Sequence, residues 1–472
     1  MKRHRLALLA ALLATAICSA QGQGADAPRT PDQVSALELF ERVIAYKTSA
    51  GQAQVPALLA YLAEKFRAAG FPQADIRILP LGDTASMVVR LRGDGSGGKP
   101  ILLMSHADVV TANHAEWRTD PFKLTEKDGF FYGRGTVDVK GGLVCEMAAL
   151  LRMKAAGIVP TRDLIMMVTG DEEDMQATVA DIVKNHRGLI DADFALNADA
   201  GNGTLDETTG KPLFFSLGTA EKGYASFDVT VKNIGGHSSE PRADNAIYDL
   251  AAALRRLQAY RFPIMWNDTT LAYFSGIGKL TPGTLGTAMR KFGQNPHDRA
   301  AATLLTGNPK YVGMTRSTCI PTLLRGGHAE NALPEFATVT INCRTFPGAA
   351  PAEVQAKLHE VAGPGTEIAT VGTPAGTNAS PLRADVVTAV TRTLHLRYPG
   401  IPIVPMQESG LSDALYTRSV GIPTYGVSAG FIKDTDNHMH GSNEGIPVKS
   451  FYDYLDFWYV LLMDLAGPRP IR

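Results

Sequence analysis

Two short segments of this sequence carry side chains that bind divalent metals. The first is His106-Ala107-Asp108, which directly follows the apolar run Ile101 to Met104. That run predicts a buried strand, and residues two apart on a strand share a face, so the imidazole and the carboxylate would point the same way. Asp108 could then accept the ring N–H of His106 and orient the other nitrogen toward a metal. On its own, H-x-D is more typical of a histidine hydrogen-bonded in a core.

The second segment, Tyr132 to Gly142, contains a tight turn at Gly133 and Gly135 and places Asp138 before a pair of glycines. A helical pattern then runs from Leu143 to Met153. We therefore expect Asp138 to lie on a rigid connection at the start of a helix.

Further acids and a histidine follow in the order that a two-metal site needs. The acidic run Asp171 to Asp174 ends an apolar strand pattern at 164–170, Asp199 ends another at 194–199, and His438 and His440 lie near the C-terminus. An isolated acidic run is usually a solvated loop. Open α/β sheets, however, place their chemistry at strand ends. An imidazole and carboxylate set without cysteine suits Zn²⁺, Mn²⁺ or Co²⁺.

These motifs resemble the co-catalytic zinc exopeptidases, metallopeptidase family twenty, which include aminoacylases, glutamate carboxypeptidase, carnosine-type dipeptidases and Gly-Xaa carboxypeptidases. The resemblance covers nearly the whole mature chain. The matching motifs are H-x-D at His106, G-x-x-D-x-K-G-G at Asp138, D-E-E at 171–173, N-x-D at Asp199 and H-x-x-N-E at His440.

The resemblance implies a role for each of these residues. Two Zn²⁺ ions per chain, for which Mn²⁺ or Co²⁺ could substitute, would be bridged by Asp138. The full implied set is His106 and Asp199 on one metal, Glu173 and His440 on the other, Asp138 between them, Glu172 as general base and Asp108 as a further catalytic residue. Family members also hold the peptide bond after the bridging aspartate, here Asp138-Val139, in cis.

The resemblance also implies a lid that forms a homodimer. Gly235-Gly236-His237-Ser238-Ser239 predicts a turn that presents His237. A lone histidine in a polar turn is usually just solvated. In the family, however, the histidine of this motif reaches the active site of a partner subunit and stabilises the oxyanion.

Three more residues are expected to bind substrate. The family match assigns Asn331 and Arg344 to the substrate, with Arg344 gripping a carboxylate, although spacing alone is equally consistent with a surface arginine. Gly410 belongs to a segment that resembles the substrate-lining glycine loop. The sequence departs from the family pattern at two places, so the shape of the pocket is not predicted. Ala414 stands where many members have an arginine, and residues 174–176 lack the small glycines that are common there.

Composition and periodicity predict an α/β enzyme with two domains. The chain has 472 residues, and 45% of them are hydrophobic. This length exceeds what a single core usually supports. We expect a three-layer catalytic domain of the zinc-exopeptidase type, interrupted by a ferredoxin-like α+β lid. The expected bounds are 32–219 and 376–472 for the catalytic domain and 220–375 for the lid, and 262–310 has no clear assignment. The net charge of −1 argues against nucleic acid or an anionic membrane as partner.

The N-terminus reads as a signal peptide. Basic residues 2–5 precede the apolar run Leu6 to Cys18, which is too short to be a transmembrane segment. We expect cleavage near Ala20, a flexible mature N-terminus over 21–31, and a periplasmic or secreted protein. The remaining cysteines, Cys145, Cys319 and Cys343, lie in apolar segments and are interpreted as buried free thiols rather than as a disulfide or a metal site.

The leading function is hydrolysis of an amide bond beside a free C-terminal carboxylate. A Gly-Xaa-type carboxypeptidase or a dipeptidase acting on small peptides fits best, and an N-acyl-amino-acid deacylase is the alternative. A third hypothesis is a non-catalytic binding protein on the same scaffold. It has little support, because every expected ligand and the expected base Glu172 are present.

Overall fold

The computed structural model describes residues 28–468. The expected signal peptide, 1–20, and most of the expected flexible segment, 21–31, lie outside these residues. The first helix begins at Pro31, where Thr30 caps it through a reciprocal pair of hydrogen bonds with Gln33. Over 28–468, no helix combines the length and the apolar character that a membrane crossing requires.

The regular elements alternate along most of the chain. The helices are α1 (Pro31–Ile44), α2 (Val55–Ala68), α3 (Lys140–Ala155), α4 (Ala177–Asn185), α5 (Ala246–Ala259), α6 (Asp268–Leu280), α7 (Gly283–Gln294), α8 (Arg299–Thr306), α9 (Pro309–Val312), α10 (Pro351–Ala362), α11 (Ala384–Arg397), α12 (Ala414–Ser419) and α13 (Val448–Ala466). The strands are β1 (Ile76–Leu81), β2 (Thr84–Leu91), β3 (Ile101–His106), β4 (Thr125–Lys127), β5 (Phe130–Tyr132), β6 (Leu164–Thr169), β7 (Phe194–Asn197), β8 (Asn202–Leu205), β9 (Pro212–Glu221), β10 (Gly223–Lys232), β11 (Gly236–His237), β12 (Thr318–Gly326), β13 (Ala332–Leu333), β14 (Phe336–Thr345), β15 (Thr366–Ala375), β16 (Ile403–Glu408), β17 (Thr424–Gly426), β18 (Phe431–Ile432) and β19 (Gly445–Pro447).

A ten-stranded sheet forms the larger part of the molecule. Its order is β1-β2-β6-β3-β7-β17-β9-β8-β18, and β16 pairs with β9. The central strands β6, β3, β7 and β17 run parallel to one another, and β2 and β9 on either side of them pair antiparallel. Ile101 and Leu103 pack in one core, whereas Leu102 and Met104 pack in another. Both faces of the sheet are therefore covered, which confirms the expected three-layer architecture.

A four-stranded antiparallel sheet with the order β12-β14-β10-β15 forms the smaller part. Apolar residues of β10 and β14, such as Phe227 and Ile341, pack against Leu250 of α5 and Leu358 of α10. Since the chain order is β10-α5-β12-β14-α10-β15, this sheet has the expected ferredoxin-like topology, and we refer to it and its two helices as the lid.

The segment without an assignment, 262–310, contributes helices to the large sheet. Helix α6 packs against β16, and Phe274, Met289 and Phe292 share a core with Val404 of that strand. The range 220–375 thus supplies residues to both sheets, because the chain leaves the lid after α5 and returns to it at β12.

The interpretation of the cysteines as free thiols is wrong for two of the three. Cys319 and Cys343 form a disulfide, while Cys145 is free and buried. Cys319 on β12 lies directly opposite Cys343 on β14. Strand register, which places the two side chains together, could not be read from the sequence.

Candidate metal centre

The carboxyl ends of three adjacent parallel strands converge on one site. His106 is the last residue of β3, Asp199 follows β7 by two residues, and Glu172 and Glu173 follow β6. Because β3 lies between β6 and β7, its histidine lies between the two acidic segments.

Two loops complete the cluster. Asp138 lies just before α3, and the Asp138-Val139 bond is cis, as the resemblance implied. Asp138 Oδ1 is 3.0 Å from His106 Nε2, and Asp138 Oδ2 is 2.9 Å from His440 Nε2. The His440 ring nitrogen is also 3.1 Å from Glu173 Oε2, and His106 Nε2 is 3.7 Å from Asp199 Oδ1. All five expected ligands therefore lie together, with Asp138 between the two histidines.

The cluster contains more carboxylates than imidazoles and therefore carries excess negative charge. Burial works against ionisation of His106, but Asp108, Asp138 and Asp199 raise its pKa well above the ordinary value. Hydrogen bonds to Asp138 and Glu173 raise the pKa of His440 to about 10. Burial raises the pKa of Asp199 to about 8. Each imidazole is thus drawn toward the cationic form by the carboxylates around it.

This donor set fits divalent cations. Within residues 28–468, no lysine or arginine lies within ion-pair distance of Asp138, Glu173 or Asp199. Glu173 Oε1 and Asp108 Oδ1 are buried and accept no hydrogen bond. Buried carboxylates need a cationic partner. Oxygen and imidazole ligands meet that need with zinc or related metals.

Asp108 links the two halves of the cluster. Its Oδ1 is 3.4 Å from His106 Nδ1, and its Oδ2 accepts a hydrogen bond of 2.9 Å from the backbone N–H of Glu173. Its backbone oxygen is 3.1 Å from the same His106 nitrogen. Asp108 therefore orients the imidazole and the loop that carries Glu173.

Glu172 lies beside Asp199 and faces the same cavity. Burial, followed by the charge of Asp199, raises its pKa well above the ordinary carboxyl value. Gln176 Nε2 donates a hydrogen bond of 2.8 Å to Glu172 Oε1. Gln176 itself has a left-handed backbone with φ of 52°, so it takes the conformation expected of a glycine at this loop.

Sequence reasoning missed the role of Glu444, which braces the Asp138 loop. The buried carboxylate accepts hydrogen bonds from the backbone N–H groups of Gly135, Val137 and Asp138 at 2.7–3.1 Å. Arg134 Nη1 adds a bond of 2.7 Å. In the sequence Glu444 is only the last residue of the H-x-x-N-E motif, and the groups that it binds lie 306 to 310 residues earlier in the chain.

A cavity of about 460 Å³ opens onto the cluster. Gly410 lines it, together with two glutamates that no sequence motif marks, Glu221 and Glu408. Glu221 forms a buried ion pair with Arg418, at 3.1 Å. Glu408 accepts a 3.3 Å hydrogen bond from Gly201 N, and burial raises its pKa to about 7.

His237, Asn331 and Arg344 do not line this cavity. His237 is exposed on β11, where its Nδ1 accepts a hydrogen bond of 3.2 Å from Ser239 N. Asn331 is also exposed, and its backbone oxygen accepts from Ser238 N at 3.0 Å. Arg344 is half-buried on β14 with its guanidinium carbon 4.9 Å from the centre of the Tyr224 ring. Within one chain, the structure brings the metal-type ligands together but leaves these three residues apart from them.

Comparison with protein families identifies the chain. Residues 102–464 match the model of peptidase family M20/M25/M40. The chain belongs to this family. The range contains all five expected ligands, and membership in family M20 makes this protein a metal-dependent hydrolase.

Individual relatives of this M20 chain are distant. An N-fatty-acyl-amino acid synthase/hydrolase, PM20D1, from Xenopus tropicalis is 26% identical over 389 residues, which cover 80% of this chain and 75% of the relative. Among solved structures, the M20 metallo-carboxypeptidase Sso-CP2 from Sulfolobus solfataricus aligns with a TM-score of 0.67 and 18% identity, covering 93% of this chain and 99% of that one. The dinuclear metal-binding M20 peptidase YXEP from Bacillus subtilis aligns with a TM-score of 0.55 and 12% identity, covering 91% and 97%. These likenesses confirm the fold.

Proposed function

We propose that this M20 chain hydrolyses an amide bond with two divalent metal ions, Zn²⁺ by preference and Mn²⁺ or Co²⁺ as substitutes. One observation carries the proposal: the two oxygens of Asp138 each face a different histidine, at 3.0 and 2.9 Å. His106 and Asp199 would hold one ion, Glu173 and His440 the other, and Asp138 both. The ions would supply Lewis acidity to the amide carbonyl and the attacking water.

Glu172 acts as the general base in this proposal. It removes a proton from the attacking water and passes it to the departing amine nitrogen. Its position beside Asp199, on the wall of the cavity, supports this role because a carboxylate there can reach a water held at the metal ligands. Asp108 assists by fixing the ring of His106 and the backbone of Glu173.

The substrate is a small molecule whose scissile amide is next to a free carboxylate. Arg344 supports this choice, because over residues 28–468 it forms no ion pair and stacks on Tyr224 instead. A planar guanidinium of this kind suits a carboxylate. Asn331 would add a hydrogen bond when the lid approaches the metals, and the Gly410 loop would line the pocket.

The acidic wall of the cavity favours peptides over N-acyl amino acids. Glu221 is neutralised by Arg418, but Glu408 has no cationic partner within ion-pair distance in the described chain. A substrate ammonium group would supply one, so we infer a dipeptidase or a Gly-Xaa-type carboxypeptidase. The second candidate is an N-acyl-amino-acid hydrolase, which the named activity of the PM20D1 relative favours.

We further propose a homodimer formed through the lid, with His237 completing the oxyanion site of the partner subunit. Two observations support it. His237 is exposed and does not line its own chain's cavity. Strand β12 is an edge strand whose Leu323 and Leu324 are 63% and 70% exposed, and such an edge is suited to pairing.

Export to the periplasm or the exterior completes the proposal. The signal-like segment 1–20 predicts it, and the Cys319–Cys343 disulfide supports it, because disulfides persist in oxidising compartments.

The decisive experiment assays dipeptides and N-acyl amino acids with the metal-free chain and after addition of Zn²⁺, Mn²⁺ or Co²⁺. We expect metal-dependent turnover, fastest with free dipeptides. Glu172→Gln should retain both ions and lose about 10²–10⁴-fold in kcat. The matched control Glu116→Gln changes an exposed glutamate and should leave kcat unchanged. Near-normal turnover in Glu172→Gln would exclude its role as base, and faster cleavage of N-acyl amino acids would select the second candidate.

A further inference from the structure

A series of buried hydrogen bonds runs from the base of the lid to one of the metal-type ligands. Glu221 is the last residue of β9, and β10 of the lid begins at Gly223. Glu221 Oε1 accepts a hydrogen bond of 2.6 Å from Ser412 Oγ. Ser412 Oγ accepts one of 3.0 Å from Asn197 Nδ2, and Asn197 Oδ1 accepts one of 3.0 Å from the backbone N–H of Asp199. We refer to the side chains of Glu221, Ser412 and Asn197 as the relay.

The relay is shielded from solvent and firmly anchored. Glu221 is 2% exposed, Ser412 3% and Asn197 1%. Because water cannot replace a bond that is lost at such a site, each donor needs its partner within the protein. Arg418 fixes the far end, since its Nη1 lies 3.1 Å from Glu221 Oε2 and its Nη2 donates a 2.9 Å hydrogen bond to the backbone oxygen of Thr424. The relay therefore starts from a carboxylate that is held in place.

The chemistry of the groups fixes the direction of each hydrogen bond in the relay. Glu221 is paired with an arginine and acts as an acceptor, so the single hydroxyl hydrogen of Ser412 goes to it. The hydroxyl oxygen then accepts, and Asn197 must present its NH₂ group to Ser412. The amide oxygen of Asn197 is thereby turned toward Asp199 N. Without the Ser412 acceptor, the amide could turn over and place its NH₂ group against the N–H of Asp199.

We propose that Ser412 is a positioning residue for the metal ion that Asp199 would hold together with His106, an inference that rests on the two-metal function proposed above. Asp199 Oδ1 lies 3.7 Å from His106 Nε2, and the backbone of Asp199 is held by Asn197. Groups that orient a metal ligand through hydrogen bonds typically contribute about 10–100-fold to metal affinity. Ser412 acts through two bonds in series, at the point where the lid base and the ligand loop meet.

The relay contacts the ligands of only one of the two ions. Within residues 28–468, neither Ser412 nor Asn197 forms a hydrogen bond with the side chain of Glu173 or His440, which would hold the other ion. The loss of Ser412 should therefore weaken one ion selectively. A residue that only stabilised the fold would have no such preference between the two ions.

Titration of the metal-free full-length chain with Co²⁺, followed by visible absorption and by calorimetry, tests the proposal. The native chain should bind two ions. Ser412→Ala should bind one of them about 10–100-fold more weakly and the other as tightly as the native chain does. Asn197→Ala breaks the relay beside the ligand loop and should have the same selective effect. Because both changes break one relay, the double variant should bind no more weakly than the weaker single variant.

Ser450→Ala is the matched control. Ser450 is also a buried serine, and its hydroxyl accepts a hydrogen bond of 3.1 Å from Phe431 N, outside the relay. Its loss should lower the urea midpoint, as the loss of Ser412 does, while both Co²⁺ affinities stay at the native values.

Three results would overturn the role of Ser412 alone. Both single variants could bind the two ions with native affinity, both ions could be weakened equally, or the two substitutions could weaken binding additively. If Ser412→Ala does not fold, Asn197→Ala decides by the same selectivity. A native chain that binds fewer than two ions would contradict the two-metal function itself, and this inference with it.

Discussion

Replacing Glu444 by glutamine should weaken both the fold and the metal centre, because this carboxylate holds the loop that carries Asp138. One of its oxygens accepts from Val137 N and Asp138 N, and the other from Arg134 and Gly135 N. In Glu444→Gln, one oxygen becomes an NH₂ group that faces two donors. Two buried hydrogen bonds are lost, at about 1–3 kcal/mol for each unsatisfied group, so we expect the free energy of unfolding to fall by roughly 2–6 kcal/mol.

Urea unfolding and metal titration measure the two effects. The midpoint should fall while the m-value is unchanged, and metal affinity should fall about 10–100-fold, as is typical when a residue that orients a ligand is lost. Glu207→Gln is the control, because this exposed glutamate accepts from Thr435 N, at 3.2 Å, far from the buried loop. A stability loss below about 1 kcal/mol would refute the hydrogen-bond accounting. A large stability loss with native metal affinity would show that Glu444 supports the fold without positioning Asp138.

Three further predictions concern the lid and its junction with the large sheet. Burial, followed by the charge of Arg344, lowers the pKa of Lys222 from 10.5 to about 8. This shift corresponds to a free-energy cost of roughly 3 kcal/mol for keeping Lys222 protonated in the native chain. Between these two pH values the unfolded chain binds more protons than the native chain, so the free energy of unfolding should rise from pH 8 to 10.5. The rise should be missing in Lys222→Met. If urea unfolding gives the same dependence on pH for both proteins, the prediction is wrong. His237→Ala should lower kcat about 10²–10³-fold with metals retained, and mixing it with Glu172→Gln should restore part of the activity. No recovery after demonstrated subunit exchange would argue against action across the dimer. Amidating the substrate carboxylate should lower kcat/KM about 10²-fold or more in the native enzyme and far less in Arg344→Ala, whereas equal cleavage of both forms by native enzyme would rule out carboxylate recognition.

The cluster of metal-type ligands was predictable because each ligand has a local signature. An apolar run followed by His106 or Asp199 marks the end of a buried strand, and parallel strands end on the same side of a sheet. Local sequence therefore specified these two ligands and their meeting place, whereas the bridging role of Asp138 and the choice of His440 over His438 came from the family resemblance. The ferredoxin-like lid was predictable for a similar reason, since alternation over 224–231 and 337–344 marks half-exposed strands.

Other features depend on residues that only the folded chain brings together. The Cys319–Cys343 bond requires the register of β12 against β14, and the bracing of Asp138 by Glu444 joins segments about 300 residues apart, at separations of 306 to 310. The packing of 268–312 on β16 and the hydrogen-bond relay from Glu221 to Asp199 likewise arise from contacts between distant elements. A sequence pattern reports which face of an element is apolar, but it does not report which distant element covers that face. Strand register and helix packing decide that, and with them the pairs, cavities and unpaired charges that the tertiary structure contains.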